Sequence, residues 1–474
     1  MYHPFKQYVK RTFPTFFYKA RDIKDQTIIE LQTLRQVGIR SLFKRFLDTK
    51  EKWKKELPLQ KICREKISHK SLADFQKACG TPQEGGHALY FAPGTFEQNL
   101  SLNVLQYIPI PVGLKIVKRP GGLSAPFAAA DKTGAFHSAF SPSHQDLLLV
   151  HGMFFNRGLG PRLYDVVELE FSDGSLHVAY VLEHIEGTIS PQKECESFIE
   201  KIKALEKDNL IKLVNWNGYG DDDFLCPRCN GNLIFDSHNK TSKYIDLQNF
   251  ALDDYSSYLK DVALMATKAS HFGQRSYLMG GEYLYQEVPG LNMPAKRSPI
   301  VRFEVFKKLL EKSHLTLKDK LVIDIGCNLG LMSAQYLKAE AAWIHGFDMP
   351  NVTPSTEQVL LSVGCTRFST SGLLLSDTIS LIQNMPSKIR EALPGCVVSY
   401  LAIRGHIGWI KELKEIPWSF MLYEGHQEEG LEMSHRFVEE FQKIKKCHIV
   451  AEGWIDDANS SPRYVAIIKA QTIL

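Results

Sequence analysis

The 474-residue sequence predicts a doubly wound α/β domain at its C-terminal end, preceded by a mixed α+β region and a basic helical segment. Three observations carry that prediction. From about residue 300 onward, short apolar runs alternate with helix-period stretches, the pattern of a parallel sheet layered by helices. Between 87 and 265 the apolar runs come in neighbouring pairs around polar turns, as in antiparallel hairpins. Residues 1–70 hold 18 Lys/Arg against 7 Asp/Glu, leaving 39 against 46 for the remainder, so the front is strongly basic and the body mildly acidic.

Composition narrows the classes. A chain of this length accommodates about two to four domains, and 44% hydrophobic residues suffice for sizeable cores. Apolar stretches such as Leu147–Val150 are too short to span a bilayer. The first 20 residues interleave Lys, Phe and Tyr with no continuous apolar core, which argues against a secretory leader. Nine scattered cysteines fit a reducing, cytoplasmic setting. The one close pair, Cys226-Pro-Arg-Cys229, lacks the second pair that a structural zinc site of about four ligands needs.

The elements divide at 1–80, 81–270, 271–300 and 301–474. In the first segment Phe43, Phe46 and Trp53 share one face of a basic helix. Three roles fit it: packing on the body with a solvated basic face, a peripheral membrane contact, or an arm on an anionic polymer such as RNA. In 81–270, GLKIVKR, PRLYDVVELEF and LHVAYVLEHIEG read as strands, the last two joined at Asp173-Gly174. SFIEKIKALEKDNLIKL reads as an amphipathic helix, then GNLIFD and KYIDLQNF as strands. The Tyr-, Gly- and Arg-rich stretch 271–300 is a linker or a lid. Beyond it, VRFEVFKKLLEKS and LGLMSAQYLKAE read as helices. LVIDIG, AWIHGFDM, VVSYLAI, WSFMLYE, HIVAEGWI and RYVAIIKA read as strands.

The most informative stretch is LVIDIGCNLG (321–330). A buried strand runs into a turn where Gly326 and Gly330 let the chain bend sharply and approach a ligand. In open parallel sheets, ligands bind beyond the carboxyl ends of the strands. Asp324 lies at that rim, and the next strand ends in Asp348, placed to hold the hydroxyls of a ribose. A nicotinamide-dependent dehydrogenase would show Gly-x-Gly-x-x-Gly at this turn.

These residues resemble the S-adenosylmethionine-dependent class I methyltransferases, whose first motif is an apolar strand followed by Asp-x-Gly-x-x-x-Gly. The resemblance covers about 300–474 and implies a Rossmann-like domain that binds S-adenosylmethionine. By it, Gly326, Cys327, Asn328 and Gly330 line the methionine end, the rim acid Asp324 belongs to the cofactor site, Asp348 holds the ribose, and the last two strands form an antiparallel pair. Methyl transfer needs a held acceptor and, for many acceptors, a base. Glu424 and His426 follow the strand WSFMLYE, and His406 follows VVSYLAI. These three are the candidate catalytic groups.

The middle region resembles the protein-kinase-like fold of aminoglycoside and lipopolysaccharide kinases. That resemblance implies a nucleotide site of Lys118 (or Lys115), Glu183, Asn232 and Asp246, with Asn232 and Asp246 holding Mg²⁺ on ATP. The position of the family's catalytic Asp is Pro227 here, and Asp246 is followed by Leu-Gln-Asn rather than Phe-Gly. The resemblance thus implies metal and nucleotide binding and leaves phosphoryl transfer open. A kinase-like unit beside a methyltransferase is similar to the bifunctional O-antigen chain terminators, whose domain order is the reverse. This implies a saccharide, lipid-linked glycan or related small acceptor. The alternatives are an RNA methyltransferase gripping phosphates with its basic front, and a non-catalytic scaffold of two degenerate domains.

Overall fold

A computed structural model describes residues 52–84, 88–124, 143–208, 210–213, 232–247, 250–269, 284–293, 295–426, 430–456 and 462–471. Phe43, Phe46, most of the basic front and the Cys226–Cys229 pair lie outside them.

The middle sheet is built from Cys63–Lys66 (β1), Gln83–Glu84 (β2), Ala88–Phe91 (β3), Val112–Val117 (β4), Leu163–Glu170 (β5) and Leu176–Glu183 (β6), in the order β1-β5-β6-β4-β3-β2. The β5–β6 hairpin turns at Gly174, whose φ of +83° suits glycine. β1 corrects the helical reading of its segment: Cys63–Lys66 runs parallel to β5, pairing Cys63 with Val167. Three short strands follow: Gly187–Ile189 (β7), Ile211–Leu213 (β8) and Leu233–Asp236 (β9). Thr241–Tyr244 (β10) and Phe250–Leu252 (β11) complete the set, with β9 between β10 and β7 and β11 beside β8. The amphipathic helix expected over 197–213 runs instead over Gln192–Lys207, and Ile211–Leu213 leaves it to pair with β11.

Leu284–Gln286 (β12) and Ala295–Arg297 (β13) form a small parallel pair before the C-terminal sheet. That sheet comprises Leu321–Ile325 (β14), Trp343–Asp348 (β15), Phe368–Gly372 (β16), Val397–Leu401 (β17), Phe420–Glu424 (β18), Cys447–Ile455 (β19) and Arg463–Ala470 (β20). Its order is β16-β15-β14-β17-β18-β20-β19, parallel except for β20, which runs antiparallel between β18 and β19. β14 explains why the central strands read as unbroken apolar runs: Leu321, Ile323 and Ile325 enter one core and Val322 the other.

Two helices lock the halves together. His144–Asn156 (α1) begins with a capping box at Ser143 and Asp146 and packs on Thr353–Ser362 (α2). A Cβ at Gly152 would stand 2.3 Å from the carbonyl oxygen of Leu361, so the helices touch backbone to backbone. Beside them, Gln60 accepts the main-chain N–H of Thr366 (2.8 Å) and of Arg367 (3.1 Å) and donates to Asp165 (3.0 Å). Burial lifts the Asp165 carboxyl to about 6 even though Arg367 lies beside it. Among the described residues, no helix is long and apolar enough to cross a membrane.

Candidate functional site

The strand order reverses between β14 and β17: the chain goes outward through β15 and β16, then returns to the other side of β14. Past the carboxyl ends of these strands lies a cleft that opens to solvent. Such switch points are where open α/β sheets bind ligands, because the diverging loops leave a crevice.

One wall is the turn after β14. Gly326 and Gly330 both have φ of +74° and Asn328 has φ of +50°, so three of five residues are left-handed. Gly326, Cys327 and Asn328 line the cleft. Their amides point away from it: those of Gly326 (2.8 Å) and Cys327 (3.1 Å) donate to the carbonyl of Phe347, and that of Asn328 to Asp348 (2.7 Å). The turn therefore offers the cleft other groups than a cradle of N–H donors. The Asn328 side-chain oxygen is buried without a hydrogen-bond partner, and so is that of Gln286 across the cleft.

Several expectations for this turn need correction. Gly330 is outside the cleft lining; a Cβ there would come within 2.8 Å of Leu360 and 2.9 Å of Thr356, so this glycine serves the packing of α2. The Cys327 thiol, buried and held protonated by its surroundings, occupies space that a side chain at Gly346 would fill. Asp348 also lies outside the lining. It takes the amides of Asn328 and Met349 (2.8 Å), one on each carboxylate oxygen, and burial raises its pKa. Each oxygen keeps a further lone pair. Asp324 does line the cleft, but its oxygens accept hydroxyls from Ser333 and Ser399, the latter at 2.7 Å; burial pushes its pKa up.

The opposite wall comes from β17, β18, β20 and the segment before the sheet. His406 and His426 both line the cleft, their rings edge to face with centroids 5.2 Å apart. Gly405 permits this: a Cβ there would sit 3.1 Å from that of His426. Tyr285 and Gln286 of the 271–300 stretch complete the wall.

Glu424 departs most from expectation. It is fully buried, contacted by Arg297 (3.2 Å), Arg302 (2.5 Å) and Arg463 (3.0 Å). Burial alone would raise its pKa, yet the three guanidiniums hold it down at about 2. A carboxylate held this firmly anionic is a poor proton acceptor near neutrality, so Glu424 is an organising counter-ion and not a general base. The three arginines were not legible as a set. Arg297 ends β13, Arg302 lies on the helix Pro299–Lys312, and Arg463 begins β20, so only folding brings them to one carboxylate.

In the middle domain, Lys115 of β4 reaches Asp246 at 2.9 Å, whereas Lys118 turns to Glu84 at 3.6 Å. The lysine facing Asp246 is therefore Lys115, because alternate residues of a strand face opposite ways and Lys118 lies beyond the end of β4. Glu183 takes Lys243 at 2.9 Å and the Arg162 amide at 3.0 Å. The main-chain oxygen of Asn232 accepts from Ile245, which sets it beside Asp246 at the open end of the β9–β10 hairpin. Among the described residues, no group of three or more His, Cys, Asp and Glu converges as a metal site. Asp246 already has an oxygen on Lys115, so this geometry supports no step through Mg²⁺ or ATP.

No family model matches this chain, and no curated protein matches it. Among solved structures, it is similar to a magnesium protoporphyrin IX methyltransferase from Synechocystis with bound S-adenosylmethionine, at 15% identity and a TM-score of 0.26 over 36% of this chain and 80% of that one. It is similar to a precorrin-6y C5,15-methyltransferase from Geobacter metallireducens at 15% identity and a TM-score of 0.25, over 35% of this chain and 88% of that one. A candidate hemolysin from Streptococcus thermophilus gives 13% identity and a TM-score of 0.27 over 35% of this chain, which spans only 65% of that protein. Likenesses this slight fix neither fold nor chemistry, which rest on the strand order and the cleft.

Proposed function

We propose that the chain transfers a methyl group from S-adenosylmethionine to a saccharide, a lipid-linked glycan or a related small acceptor, with the middle domain helping to bind acceptor or nucleotide. The observation that carries this reading is the cleft at the strand-order switch, walled by the left-handed turn 326–328 and holding two buried side-chain oxygens, on Asn328 and Gln286, that lack donors. An unpaired buried acceptor is unfavourable by about 1–3 kcal/mol, so these oxygens suit a ligand carrying N–H and O–H groups. The ammonium and hydroxyls of S-adenosylmethionine are such groups.

The bound cofactor supplies an electrophilic methyl on a sulfonium. Asp348 holds the turn through Asn328 and keeps lone pairs for a donor. Gly326 closes the turn against Ile403, whose side chain a Cβ there would strike at 2.1 Å, so the cleft wall is fixed before a ligand arrives. His406 and His426, on the β17 and β18 side, are the groups available to orient the acceptor and take its proton.

Calorimetry with S-adenosylhomocysteine tests the reading. Asp348→Ala is expected to weaken binding by at least about tenfold, because the 326–328 wall of the cleft loses the carboxylate that anchors the Asn328 amide. Equal affinity in a folded variant overturns the assignment.

A further inference from the structure

A second cleft lies where the two halves meet. Asn156 and Arg157 at the end of α1 line it, with Tyr258, Asp261 and Met265 of the helix Tyr255–Ala269 and Gln358 of α2. Helix geometry sets it apart from the cleft at the glycine turn. Thr356 and Gln358 are two positions apart on α2, which is about 200° around the helix. The Thr356 hydroxyl donates to the Asn328 carbonyl in that turn, so Gln358 faces the other way.

The walls of this second cleft are held in place. The Asn156 side-chain amide donates to the Tyr258 hydroxyl (2.9 Å), the Gln358 carbonyl (3.1 Å) and the Ser362 hydroxyl (3.4 Å), joining three helices. Its Oδ1 remains to accept. The Arg157 guanidinium lies over the Tyr258 ring, 4.6 Å from its centroid. Arg157 is half-buried and forms no ion pair among the described residues, and its Nη1 is buried without a hydrogen-bond partner there. Leaving a buried donor on a charged group unpaired is unfavourable. Asp261 is exposed and likewise has no partner among the described residues.

A cation and an acid that do not pair with each other thus share one cleft with the exposed thioether of Met265. A guanidinium fixed by stacking presents paired donors that match carboxylate or phosphate oxygens. A bare anion would also meet Asp261 and the partial negative charge at the C-terminal end of α1. An anion that carries hydroxyl or amino groups satisfies both signs. We propose that this cleft binds a small molecule whose phosphate or carboxylate sits on Arg157 and whose hydroxyl or amino groups donate to Asp261 and Asn156. The site stands independently of the methyl-transfer reading.

Calorimetry on the full chain tests it with two matched pairs, inorganic phosphate against glucose 6-phosphate and malonate against malate. The second member of each pair adds hydroxyls. In at least one pair the hydroxylated member is expected to bind about fivefold tighter, the yield of one net hydrogen bond. The pair that shows this distinguishes a phosphate from a carboxylate ligand. Arg157→Gln is expected to weaken that binding by about tenfold, and Asp261→Ala to remove the preference for the hydroxylated member. The proposal falls if no member binds, if each bare anion binds as tightly as its partner, or if either variant behaves as the natural protein does. Should Arg157→Gln not fold, Arg157→Lys keeps the charge at the end of α1 and loses the planar, paired donors. It is expected to show the same loss, and unchanged affinity there overturns the proposal.

Discussion

Asp348 ends β15 and Glu424 ends β18, so two carboxylates occupy equivalent places at the carboxyl edge of one parallel sheet. Among the described residues Asp348 takes hydrogen bonds from main-chain amides, and burial dominates, so its pKa rises. Glu424 is more deeply buried, yet three guanidiniums overcome desolvation and carry it to about 2. Position within a fold thus leaves a carboxylate's role open, and the charges that tertiary packing brings to it decide. Asp348 fastens the turn beside the cleft, while Glu424 draws three arginines together.

The largest effect expected from this contrast is on Glu424→Ala, which leaves three buried arginines facing one another. Removing one partner of a buried ion pair typically destabilises by about 3–5 kcal/mol. A denaturant midpoint unchanged from the natural protein would show that the cluster is not closed around Glu424.

Acid titration sharpens the comparison, since the two groups act with opposite sign. Glu424 has a depressed pKa, so its contribution is fully present above the ordinary 4.5 and is lost as pH falls toward about 2. That contribution is on the order of 3 kcal/mol. Asp348 has a raised pKa, so its contribution is present below the ordinary 3.8 and is lost as pH rises through its folded value. The stability gap between the natural protein and Glu424→Gln should therefore widen from pH 2 to 4.5, while the gap to Asp348→Asn narrows above 3.8. Parallel curves for both variants would erase the distinction drawn here.

The smallest effect is expected at Gly330. Its φ of +74° and its close approach to Leu360 and Thr356 predict that Gly330→Ala costs about 1–2 kcal/mol. Because Gly330 lies outside the cleft lining, S-adenosylhomocysteine affinity should change far less than thermal stability. A large loss of affinity with little loss of stability would return Gly330 to the ligand side.

Much of the C-terminal sheet was legible because its strands are buried on both faces and read as apolar runs. β16 was not: Phe368–Gly372 is a polar edge strand with little burial to mark it. α1 and α2, which join the two halves, were also missed, since α1 buries most of its circumference and shows little amphipathic period. At the site, His406, His426 and the turn 326–328 followed from their places at strand ends. The arginine cluster did not, because its members are up to 166 residues apart, at 297 and 463.

By itself the sequence determined the local events: which runs become strands, where glycine must turn the chain, and which polar groups end up at a strand's carboxyl end. These depend on neighbours a few residues away. Only the tertiary structure decided which of those groups meet, because charge, burial and hydrogen-bond supply at one carboxylate are summed over side chains from distant elements. That sum made Glu424 a counter-ion, set Lys115 rather than Lys118 on Asp246, and turned Gly330 from the ligand toward a helix.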